Sequence, residues 1–90
     1  TDEMLMVYAK NDRVQRLYSL VLAEMITAGK RDGSGRWCLL NKDAFVRRAV
    51  ERLKWERNSI LSVLAELVAM ERLRVKKDGG GTEWIAYRLG

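Results

Sequence analysis

The segment from Asn41 to Val68, "NKDAFVRRAVERLKWERNSILSVLAELV", decides the fold of this 90-residue chain. Apolar residues recur in both halves at three- and four-residue steps, as on the buried side of an amphipathic helix. Asn41 is a favourable N-cap for the first helix, which we place over residues 42–53. "KWERNS" separates it from the second, for which Asn58 or Ser59 is the predicted cap. Two helices joined by about five residues are typical of a helix-turn-helix. The residues expected to face inward are Phe45, Ala49, Val50 and Leu53, then Ile60, Leu61, Leu64, Leu67 and Val68.

A further amphipathic helix and a short strand precede this segment. Asp12 and Gln15 have the spacing of a capping box, so we place the start of that helix at Asp12 and its end near Ala28, before Gly29. "GKRDGSGRW" has the composition of a loop, and "WCLL" that of a short strand. The apolar positions of the helix are Val14, Leu17, Tyr18, Val21, Leu22, Met25 and Ile26.

A β-hairpin follows the helix-turn-helix, in "RVKKDGGGTEWIAYRL" from Arg74 to Leu89. Polar and apolar residues alternate on both sides of the "DGGG" turn, which predicts two strands with one apolar face. Trp84 falls on the opposite face, where it either packs over a basic residue of the first strand or contacts a partner. The predicted apolar face consists of Leu73, Val75, Ile85, Tyr87 and Leu89.

This order of elements resembles the winged helix-turn-helix superfamily over residues 12–89. "NSILSVLAELVAMERLRVKK" is similar to the recognition helix and first wing strand of bacterial MarR-like and related regulators, and "DGGGTEWIAYRL" to the wing tip and returning strand. The resemblance implies a single α+β, mainly α, domain over residues 1–90, with three helices, a short strand and a C-terminal β-hairpin wing. One departure lies in "AMERLRV", where many such regulators have a glycine at the end of the third helix.

The charge distribution favours a polyanionic partner. The net charge is +5; residues 1–40 contain six Lys and Arg against five Asp and Glu, whereas residues 41–90 contain eleven against seven. Such an excess on one part of a chain is typical of nucleic-acid binding. The excess lies in two clusters, one of Arg47, Arg48, Arg52, Lys54 and Arg57, the other of Arg72, Arg74, Lys76 and Lys77.

The resemblance and the charge together predict binding of double-stranded DNA, as a transcriptional regulator or as the DNA-binding module of a larger replication or conjugation protein. The third helix would enter the major groove, and the wing would follow the phosphate backbone. The alternative is a winged-helix interaction module in a larger assembly, for which an exposed Val63, Glu66 and Trp84 would form part of the surface. The candidate DNA-binding residues are Arg47, Arg48, Lys54, Arg57, Asn58, Ser59, Ser62, Arg74, Lys76 and Lys77.

The composition argues against an enzyme. The chain has no histidine and one cysteine, which excludes the usual zinc sites and the Ser-His-Asp and Cys-His arrangements, and no cofactor is expected. Cys38 is interpreted as a small buried hydrophobe. Because no apolar run approaches about 18 residues, no membrane span is predicted. We expect a reducing, cytoplasmic compartment.

Two questions remain open from the sequence. Residues 1–11 include an apolar run that either extends the first helix or forms a dimerisation element, which would make the protein a homodimer. The chain begins with Thr1, which fits either a segment of a larger parent protein or the removal of an initiator methionine.

Trp37 and Trp55 are interpreted as core anchors, with stacking platforms as the alternative.

Overall fold

Three helices and a small antiparallel sheet form an α+β fold. A computed structural model describes residues 2–90, and the side chains of residues 6–10 lie outside that description. The strands are arranged in the order β1-β2-β4-β3, and each neighbouring pair is antiparallel. The elements are α1 (Asp2–Ala28), β1 (Lys30–Arg31), β2 (Trp37–Asn41), α2 (Lys42–Leu53), α3 (Arg57–Ala69), β3 (Arg74–Lys77) and β4 (Glu83–Arg88).

Helix α1 is one continuous helix, so the predicted start at Asp12 is wrong. Asp12 instead lies within the helix. Its carboxylate forms an ion pair with Arg16, one turn further along, with 3.1 Å between Oδ2 and Nε. The backbone of the apolar N-terminal run therefore continues α1; dimerisation through this run stays a prediction, and the side chains of residues 6–10 lie outside the described set. Met4 and Leu5 are exposed. Ile26, predicted to face inward, is 87% exposed, although its neighbour Met25 is buried in the core.

Helix α2 has the predicted bounds because its cap is strong. The Asn41 side-chain oxygen accepts a hydrogen bond from the Ala44 N–H at 3.0 Å, as an N-cap residue does. Phe45 and Ala49 are buried as predicted, and Val46 joins them in the core. The helix thereby places its arginines on the side away from the core.

The connection between α2 and α3 is shorter than predicted. It consists of Lys54, Trp55 and Glu56, and α3 already begins at Arg57. Glu56 has an extended backbone, and its carbonyl accepts the first helical bond from Ile60 at 3.1 Å, so it occupies the N-cap position predicted for Asn58 or Ser59. Both of those residues therefore lie in the first turn of α3 itself.

Helix α3 ends in a left-handed residue that is not glycine. The Arg72 N–H donates to the Leu67 carbonyl at 3.1 Å and the Glu71 N–H to the Val68 carbonyl at 2.9 Å, the two bonds of a Schellman motif. Glu71, at φ 60°, occupies the position that usually holds glycine. The motif ends the helix without glycine, although the left-handed backbone conformation is unfavourable for a residue with a Cβ atom.

Replacing Glu71 with glycine is expected to raise the free energy of unfolding by about 0.5–1 kcal/mol. Relief of the left-handed strain outweighs the extra entropy that glycine adds to the unfolded chain. Ala69→Gly, inside the helix, is the matched control and should lower stability by about 1 kcal/mol. Urea denaturation measures both, and a destabilised Glu71→Gly variant would show that the Glu71 side chain itself contributes to the fold.

The sheet presents one face to the helices and one to solvent. Cys38 and Leu40 of β2 and Ile85 of β4 lie on the inner face and are buried with α1, α2 and α3. Val75 of β3 pairs with Ile85 on that face, as the predicted alternation requires. The prediction that Cys38 is a buried hydrophobe is confirmed. Leu89, in contrast, lies beyond β4 and is exposed.

A short strand was missing from the prediction. Within the glycine-rich loop, Lys30 and Arg31 pair with Leu39 and Cys38 to form β1 at the edge of the sheet. The following turn is held by Asp32, whose carboxylate accepts the Ser34 hydroxyl at 2.8 Å. A two-residue strand of exposed basic residues has no apolar alternation, so the sequence pattern could not reveal it.

Candidate nucleic-acid interface

The start of α3 presents a polar surface to solvent. Arg57, Asn58 and Ser62 are exposed, while Ser59 is half-buried. Val63 is buried, with 7% of its surface accessible, so the prediction that it lies on the outer face is wrong. The helix starts earlier than predicted, and Val63 faces the core together with Ile60, Leu64 and Leu67.

The N-terminus of α3 has no side-chain cap. Glu56 makes no capping hydrogen bond, and no acidic residue lies in the first turn of the helix. The N–H groups of a helix's first turn and its dipole favour an anion at this end. The exposed Arg57 adds a full positive charge at the same place. The exposed carboxylate of Glu56 opposes an anion here, so attraction of a phosphate to this end of α3 depends on Arg57 and the uncapped N–H groups.

The neighbouring arginines of α2 differ in their surroundings. Arg47 is exposed. Arg48 reaches across to α1, where its Nε lies 2.8 and 2.9 Å from the two carboxylate oxygens of Glu24 and its Nη2 lies 2.7 Å from one of them. The pKa of Arg48 is raised, chiefly by these hydrogen bonds to Glu24. Arg48 thus has a structural partner, whereas Arg47 is available to a ligand.

The turn between α2 and α3 contributes one cation and one ring. The side chain of Lys54 is exposed, and its backbone has the left-handed conformation, with φ 59°. Trp55 packs against the hydrophobic core, as predicted for a core anchor, and the Arg13 guanidinium lies 5.3 Å from the centre of its ring. Trp55 therefore joins α1 to the turn, and Lys54 lies beside it in solvent.

The basic residues of the β3–β4 hairpin do not all point the same way. Arg74 and Lys76 lie on the outer face of the sheet, and Lys77 is exposed at the end of β3. Both outer-face cations approach the Trp37 ring, with the Lys76 Nζ at 3.9 Å and the Arg74 Cζ at 5.3 Å from its centre. Trp37 lies on the face opposite Cys38 and Leu40, so its interpretation as a core anchor is wrong.

The turn of the β3–β4 hairpin is stabilised by hydrogen bonds to one carboxylate. Asp78 accepts hydrogen bonds from the Gly80 and Thr82 N–H groups at 2.9 and 3.0 Å and from the Trp84 indole N–H at 3.0 Å. These bonds, above all that from Trp84, lower the pKa of Asp78. Trp84 is therefore fixed to the tip, whereas the sequence left open a contact with Arg74, Lys76 or a partner. Also on β4, the Oε1 atom of Glu83 lies 3.5 Å from the Nζ atom of Lys42.

Comparison with known proteins adds no relative. No family model, curated protein or solved structure matches this chain. Within residues 2–90, none of the helices combines the length and the apolar character that crossing a membrane requires. The same part of the chain brings no three histidine, cysteine or acidic side chains together as a metal site.

Two features of this surface escaped the sequence prediction. The partner of Arg48 is Glu24, 24 residues away on another helix, and nothing local marks that pairing. The exposure of Trp37 had no local signal either, because "WCLL" is a continuous apolar run and only the strand geometry places Trp37 opposite Cys38 and Leu40. In such a run the general tendency of tryptophan to be buried favoured the core.

Proposed function

We propose that this protein is a winged helix-turn-helix domain that binds double-stranded DNA, as a transcriptional regulator or as the DNA-binding module of a larger replication or conjugation protein. The succession of α2, a three-residue turn, α3 and a β-hairpin supports the proposal. In such domains the N-terminal residues of the recognition helix contact base edges in the major groove.

The observation that carries the proposal is the surface at the start of α3. Arg57, Asn58 and Ser62 are exposed there, on a helix end without a side-chain cap. Asparagine is the commonest reader of adenine and serine contacts either kind of base, while Arg57 is assigned to a phosphate at this uncapped helix end. Arg47 and Lys54 are exposed on the preceding helix and turn, where they can hold the phosphate backbone.

The proposal assigns different roles to the basic residues than the sequence alone did. Arg48 is engaged with Glu24 and stabilises the fold. Arg74 and Lys76 face away from the helices, so Lys77 is the wing residue that we assign to duplex DNA. The proposed contact set is thus Arg47, Lys54, Arg57, Asn58, Ser62 and Lys77.

Arg57→Gln is expected to weaken binding to duplex DNA and to reduce the slope of log affinity against log salt by about 0.9. Each phosphate contact releases about that many counterions from a duplex. Fluorescence anisotropy of labelled duplex DNA, titrated at several salt concentrations, gives both quantities. Arg88→Gln is the matched control, because it removes one exposed arginine from the outer face of the sheet. Equal losses in the two variants would indicate non-specific attraction to the net charge and contradict the proposal.

A protein–protein interaction module remains the second candidate, and one observation favours it. An open apolar groove of about 520 Å³ lies between the end of α1 and the sheet, lined in part by Leu22, Met25, Ile26 and Leu89. Exposed apolar patches of this kind are common at protein interfaces, including those of homodimers. Ile26→Glu separates the candidates: a DNA-binding domain keeps its duplex affinity, whereas an assembly module loses its partner.

A further inference from the structure

The outer face of the sheet combines tryptophan rings with basic side chains. Cross-strand pairing places Trp37 opposite Arg88 and Trp84 opposite Lys76, all on the face turned away from the helices. Ala86 lies between them on the central strand, opposite Arg74. We call this set, Trp37, Trp84, Arg74, Lys76, Arg88 and Ala86, the outer sheet face.

The ring of Trp37 reaches across the central strand β4, and three cations lie near it. Trp37 is on β2, yet its ring lies 3.9 Å from the Nζ of Lys76 and 5.3 Å from the Cζ of Arg74, both on β3. The strand between them carries Ala86, whose small side chain is fully buried although it belongs to the outer face. Arg88 approaches the same ring at 5.8 Å. Three cations therefore converge on one indole.

These cations form no ion pair within the described part of the chain. None of Arg74, Lys76 and Arg88 lies within ion-pair distance of a carboxylate among residues 2–90. The carboxylate of Asp32, which accepts the Ser34 hydroxyl at 2.8 Å, interacts electrostatically with Lys76 and offsets part of its charge. The ring attracts each cation only weakly, and three like charges repel one another. Such a surface is complementary to a chain of regularly spaced negative charges.

We infer that the outer sheet face binds single-stranded nucleic acid. The cations suit the phosphates of any nucleic acid, but aromatic rings add binding free energy only where unpaired bases can stack on them. Duplex bases are already stacked, and a flat sheet face does not enter a groove as α3 does. Trp84, half-buried and held by Asp78 at 3.0 Å, offers a ring of fixed orientation beside the cations. The outer sheet face therefore combines positive charge with aromatic rings on which unpaired bases can stack.

This surface lies apart from the start of α3, where the duplex is proposed to bind. The inner face of the sheet packs on α1 and α2, and α3 packs on those two helices. A strand on the outer sheet face therefore leaves α3 free, and the two proposed surfaces adjoin only at β3, where Lys77 follows Lys76. The two sites also carry different reporters, since Trp37 and Trp84 belong to the outer sheet face and Trp55 to the turn before α3.

Fluorine NMR of 5-fluorotryptophan-labelled protein tests the inference site by site. Three resonances are expected, one for each tryptophan. An oligothymidine of about 12 nucleotides should shift those of Trp37 and Trp84 and leave that of Trp55 in place. Under the proposed function, duplex DNA should shift the resonance of Trp55 and leave that of Trp37 in place; Trp84 does not discriminate, because Lys77 contacts the duplex close to it. Failure of one pattern leaves the other intact, so the two proposals fail separately. An oligothymidine that shifts only Trp55 overturns the inference.

Matched variants test the cations. Lys76→Gln should weaken oligothymidine binding and reduce the slope of log affinity against log salt by about 0.7, the value for one contact to a single strand. Arg52→Gln removes one exposed positive charge from α2, outside both proposed surfaces, and should leave that slope unchanged. Equal effects of the two variants would overturn the inference.

Paired substitutions of Trp84 test the stacking. Trp84→Leu and Trp84→Phe both remove the indole bond to Asp78, so they differ in the aromatic ring alone. Leucine should lower oligothymidine affinity about tenfold relative to phenylalanine, within the range for one stacked base. Inorganic polyphosphate, which has no bases, should bind more weakly than oligothymidine of equal charge and show no difference between the two variants. Polyphosphate that binds as tightly as oligothymidine would reduce the face to an anion site and overturn the inference.

Discussion

Replacing Arg48 with methionine is expected to lower the free energy of unfolding by about 2–3 kcal/mol. The Glu24 side chain is 8% exposed and holds its charge next to the Arg48 guanidinium at 2.7 Å. Without that partner, Glu24 is left as an uncompensated carboxylate in a poorly hydrated position. We place the effect below that of a fully buried pair because 41% of the Arg48 side chain remains in contact with solvent. Urea denaturation of the purified variant measures the loss.

Two controls separate the ion pair from a general effect of substitution. Arg47→Met, one residue earlier on the exposed side of α2, should change stability by no more than about 0.5 kcal/mol. Combining Arg48→Met with Glu24→Leu removes both charges and should recover most of the loss, since an apolar pair often replaces a buried ion pair at little cost. An Arg48→Met variant that is as stable as Arg47→Met, yet binds DNA less well, would return Arg48 to the DNA-binding surface.

The contrast between these two arginines shows what the sequence could and could not supply. Both lie on the side of α2 that the hydrophobic pattern leaves outside, so they are equivalent in periodicity. Only the packing of α1 against α2 brings Glu24 within hydrogen-bonding distance of Arg48. A contact between residues 24 positions apart depends on tertiary structure, which local pattern does not encode.

Elements with strong local signals were predicted well. Helix α2 begins after Asn41 as expected, because a capping side chain and an apolar stripe agree there. The β3–β4 hairpin alternates as predicted, because Val75 and Ile85 must share one face of a two-stranded ladder. The architecture of three helices and a C-terminal hairpin follows from these signals.

Errors arose where several residues could fulfil the same local role. Asp12 and Asn58 are favourable capping residues in isolation, yet the helices α1 and α3 begin upstream of them. Val63 is buried because it lies three residues from Ile60 and four from Leu67, on the same stripe of the helix. Ile26 fits the helical period but lies where no other element covers α1. The capping residues therefore did not fix where the helices begin, and for Ile26 the neighbouring elements determined burial.

Duplex DNA is expected to dissociate steeply as salt rises. The proposed phosphate contacts comprise four exposed cations, namely Arg47, Lys54, Arg57 and Lys77. Four contacts correspond to a slope of about −3.6 in log affinity against log salt, at about 0.9 for each contact. Raising the salt from about 50 to 200 mM should therefore reduce affinity by about two orders of magnitude. Neutralising Arg47 and Arg57 together should halve the slope, since two of the four contacts are lost.

The stability and binding experiments reinforce each other. Arg48→Met should unfold more easily but retain the wild-type salt slope at temperatures where it is folded, because Arg48 is held by Glu24 and not by a phosphate. The double variant of Arg47 and Arg57 should show the opposite behaviour. Together they separate residues that build the domain from residues that bind its ligand.

The most direct test of duplex binding is the anisotropy of labelled duplex DNA titrated with the wild-type protein across this range of salt. The account predicts a linear plot with a slope of about −3.6. A flat plot, or the absence of duplex binding at about 50 mM salt, would contradict it.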